Sequence, residues 1–267
     1  GMAALQARYG RLPWSSLLTP AEQIANFGEP LSRAQHMAMV LNEDQLFLDY
    51  NLQSIFKDKQ GEFVAEGTKI RQVRLASLLS TLRSEGGAVF YSGTWARTFI
   101  EDATNAGGKI TVSDMINYKP VWQEASSFRV DNNMVGVSTT ASGDLYRKLW
   151  SALYDGKGIL GVDVAIPQAE IAAATASVFS ETSNISPFIS HGATSFVTTD
   201  NQGNAVACVV GLGFPFGSGQ MGEITGMVMA GNLPPEQREF LTSPMLVVNI
   251  PNKDFYYASA ATGGAGT

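Results

Sequence analysis

The chain has 267 residues, of which 45% are hydrophobic and 16% are charged, so it can bury a large core, and intrinsic disorder is excluded. Its formal net charge is -6 and it contains no run of Lys or Arg, which argues against a nucleic-acid partner. No stretch of roughly 18 unbroken apolar residues predicts a membrane span, and no basic-then-apolar leader opens the chain.

Residues 13–119 carry mostly helical patterns. Thr19 as a cap, a proline behind it and an acidic first turn predict that a helix begins within residues 19–22. Leucines at helical spacing predict another helix around residues 75–82. Further on, residues 110–114 are typical of a short extended link, in which Ser113 caps the next helix.

From about residue 128 the pattern changes to a mixture of strands and helices, and the end of the chain is dominated by strands. Turns rich in Gly, Asn and Pro separate the segments. Strands are predicted at residues 128–130, 134–137, 195–199, 205–212, 227–230, 245–250 and 255–258. A helix is predicted at 144–153, and residues 171–179 are either a second helix or a linker. The chain as a whole is therefore predicted to be an α+β protein.

The sequence lacks the residues and motifs that several common catalytic and binding sites require. The chain has two histidines, His36 and His191, and one cysteine, Cys208, which is too few for a zinc cluster at recognisable spacing. A Ser-His-Asp hydrolase of the G-x-S-x-G type is excluded because that motif is absent. Pro215 interrupts the glycine-rich run at residues 211–217, which therefore predicts a tight loop and no nucleotide site. No cofactor is expected, and Cys208 is predicted to be a small core residue.

Sequence landmarks distributed over nearly the whole chain point to one family. They are "RYGRLPW" at 8–14, "FYSGTWARTFIEDATNAGGKITVSDMINYKP" at 90–120, "DNQGNAV" at 200–206, "FGSG" at 216–219 and "ATGGAG" at 261–266. In this order they resemble the gamma-glutamyltranspeptidase family.

The resemblance implies an N-terminal-nucleophile hydrolase, a four-layer αββα sandwich with a helical N-terminal part. Such a protein is made as one precursor that cuts itself before a threonine, which then attacks the gamma-glutamyl amide of glutathione-like substrates. The freed α-amine of that threonine serves as the base, so neither histidine nor metal is needed. Residues 1–185 would then be the large-subunit-like, mostly helical region and residues 186–267 the small-subunit-like β region, together forming one structural domain.

The family nucleophile is missing from this chain. In relatives the strand before "GNAV" starts Thr-Thr-His-(Phe/Tyr)-Ser, and counting back without a gap from Gly203 puts Ala193 on the nucleophile. Thr194 then corresponds to the second threonine, and it is predicted to point away from the site because side chains alternate along a strand. Ser195 is on the right face but roughly 7 Å further along the strand.

Substrate-binding positions are altered as well. The family threonine and asparagine that bind the nucleophile's amine and the glutamyl group fall on Gly211 and Gly213, which have no side chains. The glutamine and aspartate that hold the substrate amino group fall on Asn232 and Pro234. The chain is thus expected to bind a glutamyl group, if at all, with a degenerate site.

Two further features of the family site have counterparts near the end of the chain. Thr242 and Ser243 partly match the family's double serine, although they are equally typical of a polar loop before a strand. Gly263 and Gly264 match the backbone oxyanion pair, whose N–H groups need only a turn, and they are equally typical of a plain glycine turn.

Three functions follow as alternatives. The first is a gamma-glutamyltranspeptidase-like protein that is unprocessed and catalytically degenerate, with a gamma-glutamyl or small peptide ligand. The second is an active gamma-glutamyl transferase or glutathione hydrolase with a shifted nucleophile, Thr194 or Ser195. The third is a non-catalytic subunit or scaffold that pairs with a second copy or a partner chain to cover edges and apolar faces. If Met2 is the true start the protein is expected in the cytoplasm, and if a leader was removed, in the periplasm or outside the cell.

Overall fold

The structure is a computed structural model that describes residues 1–46, 49–154, 168–180, 192–234 and 243–262. The chain divides into two units, Gly1–Val121 with Phe216–Gly231, and Trp122–Pro215 with Asn232–Thr267. The division predicted near residue 185, between large-subunit-like and small-subunit-like regions, stays a prediction.

The first unit is mostly helical, as predicted. Its helices are α1 (Met2–Tyr9), α2 (Trp14–Phe27), α3 (Arg33–Leu41), α4 (Glu43–Leu46), α5 (Tyr50–Phe56), α6 (Val73–Glu85), α7 (Gly93–Asn105) and α8 (Val112–Asn117). A 3-10 helix covers Gly87–Tyr91, and the short strands β1 (Glu29–Pro30) and β2 (Lys69–Ile70) pair antiparallel. Among the described residues, no helix has the length and hydropathy needed to cross a membrane.

Helix α2 begins earlier than predicted, at Trp14, so Pro20 lies inside it and does not open it. The physical reason is a tertiary contact that local sequence does not show. The indole N–H of Trp14 donates a 2.7 Å hydrogen bond to the carbonyl of Leu82 on α6, which holds the first turn against its neighbour. Arg83 of α6 also pairs with Glu22 of α2. These contacts compensate for the main-chain hydrogen bond that proline cannot donate.

Helix α8 is capped by Thr111, and the prediction that Ser113 is the cap is wrong. The Thr111 hydroxyl accepts from the main-chain N–H of Asp114, and the Asp114 carboxylate accepts from the main-chain N–H of Thr111 at 2.8 Å. This reciprocal capping box satisfies two free donors at once, which a cap at Ser113 would not do. Hydrogen bonds from Thr111 also hold the pKa of the exposed Asp114 carboxyl below its usual value.

The second unit consists of a sheet, a separate hairpin and two helices. Its strands are β3 (Ser126–Val130), β4 (Asn133–Val137), β5 (Gly192–Thr199), β6 (Ala205–Gly213), β7 (Ser243–Asn249) and β8 (Phe255–Ala261), and its helices are α9 (Ala141–Tyr154) and α10 (Gln168–Ser180). Four strands form an antiparallel sheet in the order β3-β4-β7-β8, and β5 pairs with β6 as a two-stranded hairpin that contacts β7 and β8. Helix α9 packs on β3, β4 and β7.

The core of the second unit lies where α9 covers the sheet. Alternate residues of two neighbouring strands point to the same face, because the period of a strand is two residues. The buried members are Val135, Val137, Met245 and Val247, and Phe128, Val130, Tyr146 and Trp150 pack against them. The strands and helices predicted for this unit are therefore confirmed, with ends displaced by a few residues.

The strand predicted at residues 227–230 is wrong. This segment makes only an isolated bridge, between Val228 and Met221, inside a loop that belongs to the first unit. Gly217, Gly219 and Gly226 have positive φ angles, which turn the chain back on itself and prevent a continuous strand. Apolar residues of the loop instead join the core of the helical unit.

That loop is held by a buried carboxylate on α7. Asp102 is 3% exposed, and it accepts hydrogen bonds from the main-chain N–H of Thr225 at 3.0 Å and from the Thr225 hydroxyl at 2.6 Å. A side chain at Gly222 would bring its first carbon to 2.2 Å from the same carboxylate. The close approach therefore requires glycine at that position.

We expect Asp102→Ala to lower the free energy of unfolding by about 2–4 kcal/mol, because the buried hydroxyl and N–H of Thr225 lose a charged acceptor. Urea denaturation followed by circular dichroism measures the change. The matched control is Glu101→Ala on the exposed side of the same helix, which should stay within about 0.5 kcal/mol of the parent chain. Equal stabilities for the two variants would contradict the role given to Asp102.

Candidate functional site

The hairpin that contains Ala193 is closed by a turn that Asp200 organises. One carboxylate oxygen of Asp200 accepts from the main-chain N–H groups of Gln202 and Asn204, each at 2.9 Å, and the other accepts from the Asn204 side chain at 2.7 Å. Gly203 follows with a φ of 81°, where glycine is favoured. The "DNQGNAV" segment is thus a rigid turn that sets the register of both strands.

Ala193 lies at the opposite end of the hairpin, beside an irregularity in the ladder. Gly192 pairs with Gly213 and Ala193 pairs with Gly211, so Leu212 is an extra residue on β6. A carbon added to Gly192 would lie 1.7 Å from the carbonyl oxygen of Phe214. The main chain at Gly192 therefore lies directly against the main chain at Phe214, and a residue with a side chain would not fit at position 192.

The two hydroxyl residues that follow Ala193 point in different directions. Ala193 and Ser195 are half-buried on one face of the hairpin, whereas Thr194 is exposed on the other. The predicted alternation is confirmed, and it places Thr194 on the face opposite to Ala193. Ser195 shares the face of Ala193 but lies two residues along the strand.

Gly211 faces Ala193 directly across the ladder. A carbon added at Gly211 would approach the Ala193 methyl group to 3.2 Å, so any side chain at this position would touch residue 193. Gly213 is buried, with a φ of 89°, and lies opposite Gly192. Both positions named by the sequence analysis are therefore at the mouth of the hairpin, and neither offers a hydroxyl or an amide.

Several of the remaining predicted site residues belong to segments that the structure does not describe. Thr242, Gly263 and Gly264 lie outside the described residues, as does His191. Ser243 begins β7 opposite Ala261, and its side chain is likewise outside the description.

The structure also describes the surroundings of His36 and Cys208. The Nδ1 atom of His36 lies 3.1 Å from the main-chain carbonyl of Val64. Cys208 is half-buried on β6, and this burial raises the pKa of its thiol. In the part of the chain that the structure describes, no three His, Cys, Asp or Glu side chains are grouped so that they could hold a metal ion.

The landmark at residues 90–120 is a packing unit. Tyr91 stacks on Tyr118 with ring centroids 5.1 Å apart, and Phe90 lies 5.1 Å from Phe99, which ties the two ends of the α7–α8 segment together. Burial and the neighbouring Tyr118 raise the pKa of Tyr91.

The landmark at residues 90–120 also supplies Asp102, which the sequence analysis missed. The sequence offers no signal that separates Asp102 from the neighbouring Glu101, which is also acidic but exposed.

Comparison with known sequences identifies similar proteins for the first half of the chain. The model of a family described as gamma-glutamyltranspeptidase matches residues 1–149. Glutathione hydrolase 2 of Arabidopsis thaliana is 31% identical over 144 residues, which are 54% of this chain and 25% of that protein. The chain thus spans about a quarter of the length of this curated relative.

The likeness to solved structures extends over both halves of the chain. Cephalosporin acylase from Bacillus halodurans superimposes with a TM-score of 0.72 at 19% identity, covering 96% of this chain and 57% of that one. Helicobacter pylori gamma-glutamyltranspeptidase gives a TM-score of 0.57 at 23% identity, covering 69% of this chain and 54% of that one. At these identities the likeness shows the fold, which is the predicted α+β fold of N-terminal-nucleophile hydrolases.

Gly192→Ala should destabilise the chain by at least about 2 kcal/mol, because neither main-chain segment at the mouth can move without breaking the ladder. Gly211→Ala is the matched control, since its added methyl group lies 3.2 Å from the Ala193 methyl group and meets main-chain atoms only at ordinary contact distances of 3.5 Å or more. It should change stability by less than about 1 kcal/mol. Thermal unfolding of both variants measures the difference. Similar losses in the two would contradict the crossing described at Gly192.

We expect Cys208 to react several-fold more slowly than free cysteine with a disulfide reagent at pH 8. A raised pKa leaves less thiolate at that pH, and thiolate is the reacting form. Absorbance of the released thiolate follows the reaction, and the same chain in guanidinium chloride is the control. A native rate that equals the denatured rate would show that the strand does not shield the thiol.

Proposed function

Because the chain belongs to the gamma-glutamyltranspeptidase family, we propose that it keeps the family fold and has lost the nucleophilic chemistry. The observation that carries the proposal is Ala193, a methyl group where the family presents a reactive hydroxyl. Its surroundings support the same reading, since Gly211 across the ladder contributes no polar group either. Several losses at one place favour a protein that evolved away from catalysis over a change at one position.

The missing hydroxyl affects both reactions of the family. Self-cleavage begins when the hydroxyl oxygen attacks the carbonyl of the preceding residue and takes over its acyl group, and alanine has no atom that can do this. Turnover then requires the same oxygen to attack the substrate amide. Removing a nucleophile lowers turnover on the order of 10⁶-fold, about 8 kcal/mol of barrier. The chain is therefore proposed to remain whole and to lack gamma-glutamyl transfer.

A shifted nucleophile receives little support from the hairpin. Thr194 is on the face opposite to Ala193, so its hydroxyl cannot reach the same carbonyl without a change of register that would turn every side chain over. Ser195 is on the correct face but roughly 7 Å along the strand. Neither residue replaces the absent threonine in place.

The proposed ligand is a gamma-glutamyl compound or small peptide, bound without a cofactor. The names of the relatives support this class, since the Arabidopsis protein is a glutathione hydrolase. The chain spans only about a quarter of the length of that relative, and the proposal therefore assigns the binding to the hairpin mouth alone.

A non-catalytic subunit is the second candidate, and one surface favours it. The face of the hairpin that carries Thr194 also carries Phe196, which is 42% exposed, together with exposed Val206, Val210 and Leu212. Exposed apolar side chains in a row are typical of a surface that another chain covers. Light scattering coupled to size-exclusion chromatography separates this candidate from a monomeric binder.

Intact-mass analysis of the purified chain should show one species of 28.5 kDa. Hydrolysis of gamma-glutamyl-p-nitroanilide should not exceed that of buffer, because no hydroxyl is present at residue 193. Recovery of two fragments of roughly 20 and 8 kDa, cut ahead of residue 193 by the family route, would overturn the proposal.

Two variants serve as controls for the same experiment. Thr194→Ala and Ser195→Ala should each give a single uncleaved species and no hydrolysis above that of buffer. If the parent chain hydrolyses the substrate and one of these variants does not, the alternative of a shifted nucleophile is correct.

A further inference from the structure

The second unit contains a cavity away from the hairpin mouth, on the side of the sheet that faces α9. Its volume is about 260 Å³, and the described residues that line it belong to β3, β4, β7, β8 and α9 and carry no charge. We propose that this cavity binds a small neutral aromatic molecule that carries one hydrogen-bond acceptor. An apolar cavity of roughly 150 Å³ is known to hold a benzene ring, so the volume suits a compact one- or two-ring molecule.

The walls of the cavity are apolar and held in place. Val135 and Val247, both buried, form the sheet side. Trp150 of α9 forms the opposite side, and its indole packs edge-on against Phe128 with ring centroids 6.2 Å apart and an interplanar angle of 62°. A flat ring would therefore enter a preformed slot between aliphatic and aromatic surfaces.

A β-bulge places two tyrosines at the cavity. Tyr257 pairs with Val247, and Phe255 pairs with Val248, so Tyr256 has no partner across the ladder. The extra residue turns the strand, and consecutive tyrosines that would otherwise point to opposite faces both line the cavity. They are 53% and 50% exposed, and so form a mouth that solvent and a ligand can reach.

Among the described residues that line this mostly apolar space, one has an amide side chain, Asn133 at the start of β4. Asn133 is 4% exposed, and its Oδ1 atom accepts a 3.3 Å hydrogen bond from Nδ2 of Asn249. The orientation of Asn249 is set in turn, because its Oδ1 accepts from the main-chain N–H of Asn252. The Nδ2 group of Asn133 consequently has no acceptor among the described residues.

A buried donor without an acceptor is costly, and a ligand that supplies an acceptor removes that cost. A carboxylate ligand is disfavoured, because none of the described residues that line the cavity is a cation that could balance its charge. The ligand class is therefore a neutral ring with a ketone, amide or ether oxygen. This inference does not depend on the proposed function, since no residue of the hairpin lines the cavity.

A pair of matched probes tests the proposal on the full ¹⁵N-labelled chain. The ketone 1-indanone should bind with a Kd of roughly 0.1–1 mM, a range typical of a ligand of this size. It should shift the side-chain amide signal of Asn133 and the indole signal of Trp150. Indane has the same rings without the oxygen and should bind about five- to tenfold more weakly, because it leaves the Nδ2 donor unpaired.

Substitutions of residues that line the cavity test whether the probes bind there. Asn133→Leu should reduce 1-indanone affinity to that of indane, and Tyr257→Ala should weaken both probes several-fold while the half-exposed site keeps the fold intact. Tyr50→Ala, at an exposed position of the other unit, is the control and should change neither affinity. The proposal is wrong if 1-indanone causes no shifts at millimolar concentration, or if both probes bind equally and the Asn133 signal does not move.

Discussion

The carboxylate of Asp102 is the interaction on which the helical unit depends. It accepts hydrogen bonds from Thr225, more than a hundred positions later in the chain. This contact holds the loop at residues 216–231 against a helix from the N-terminal half of the sequence. Phe216 of that loop then packs edge-on against Phe56, and Met221 joins the same apolar cluster. A charged group inside a core is stable only when its hydrogen bonds are satisfied, and here the donors come from the segment that must be fixed.

The register of the hairpin in the second unit does not depend on the side chain at residue 193. Its register is set by the Asp200 turn at one end and by the crossing of Gly192 with Phe214 at the other. Neither device involves the hydroxyl that a nucleophile would need. Replacing the side chain at residue 193 by a methyl group therefore leaves the main chain undisturbed, while the effect on turnover would be very large. Structural likeness to acylases and transpeptidases accordingly says little about activity.

Several features were accessible from local patterns. The helical first half, the α+β class and most strands follow from periodicity, and the opposite orientation of Thr194 follows from the alternation of a strand. Predictions were wrong where contacts between residues far apart in the sequence determine the secondary structure. Trp14 bonds to Leu82 and extends α2 past the proline, and the glycine turns around Val228 remove a strand that residues 227–230 predict. The cap at Thr111 was a local error, since Thr-x-x-Asp is a readable capping box.

The sequence by itself determined the family resemblance and the absence of a hydroxyl at residue 193, because both are properties of residue identity and order. Only the tertiary structure decided which residues meet. It placed Gly211 across from Ala193, turned Tyr256 and Tyr257 toward one cavity through a bulge, and oriented the Asn133 amide through Asn249. These outcomes depend on register and on strands far apart in the chain, and one residue of slip would reverse them.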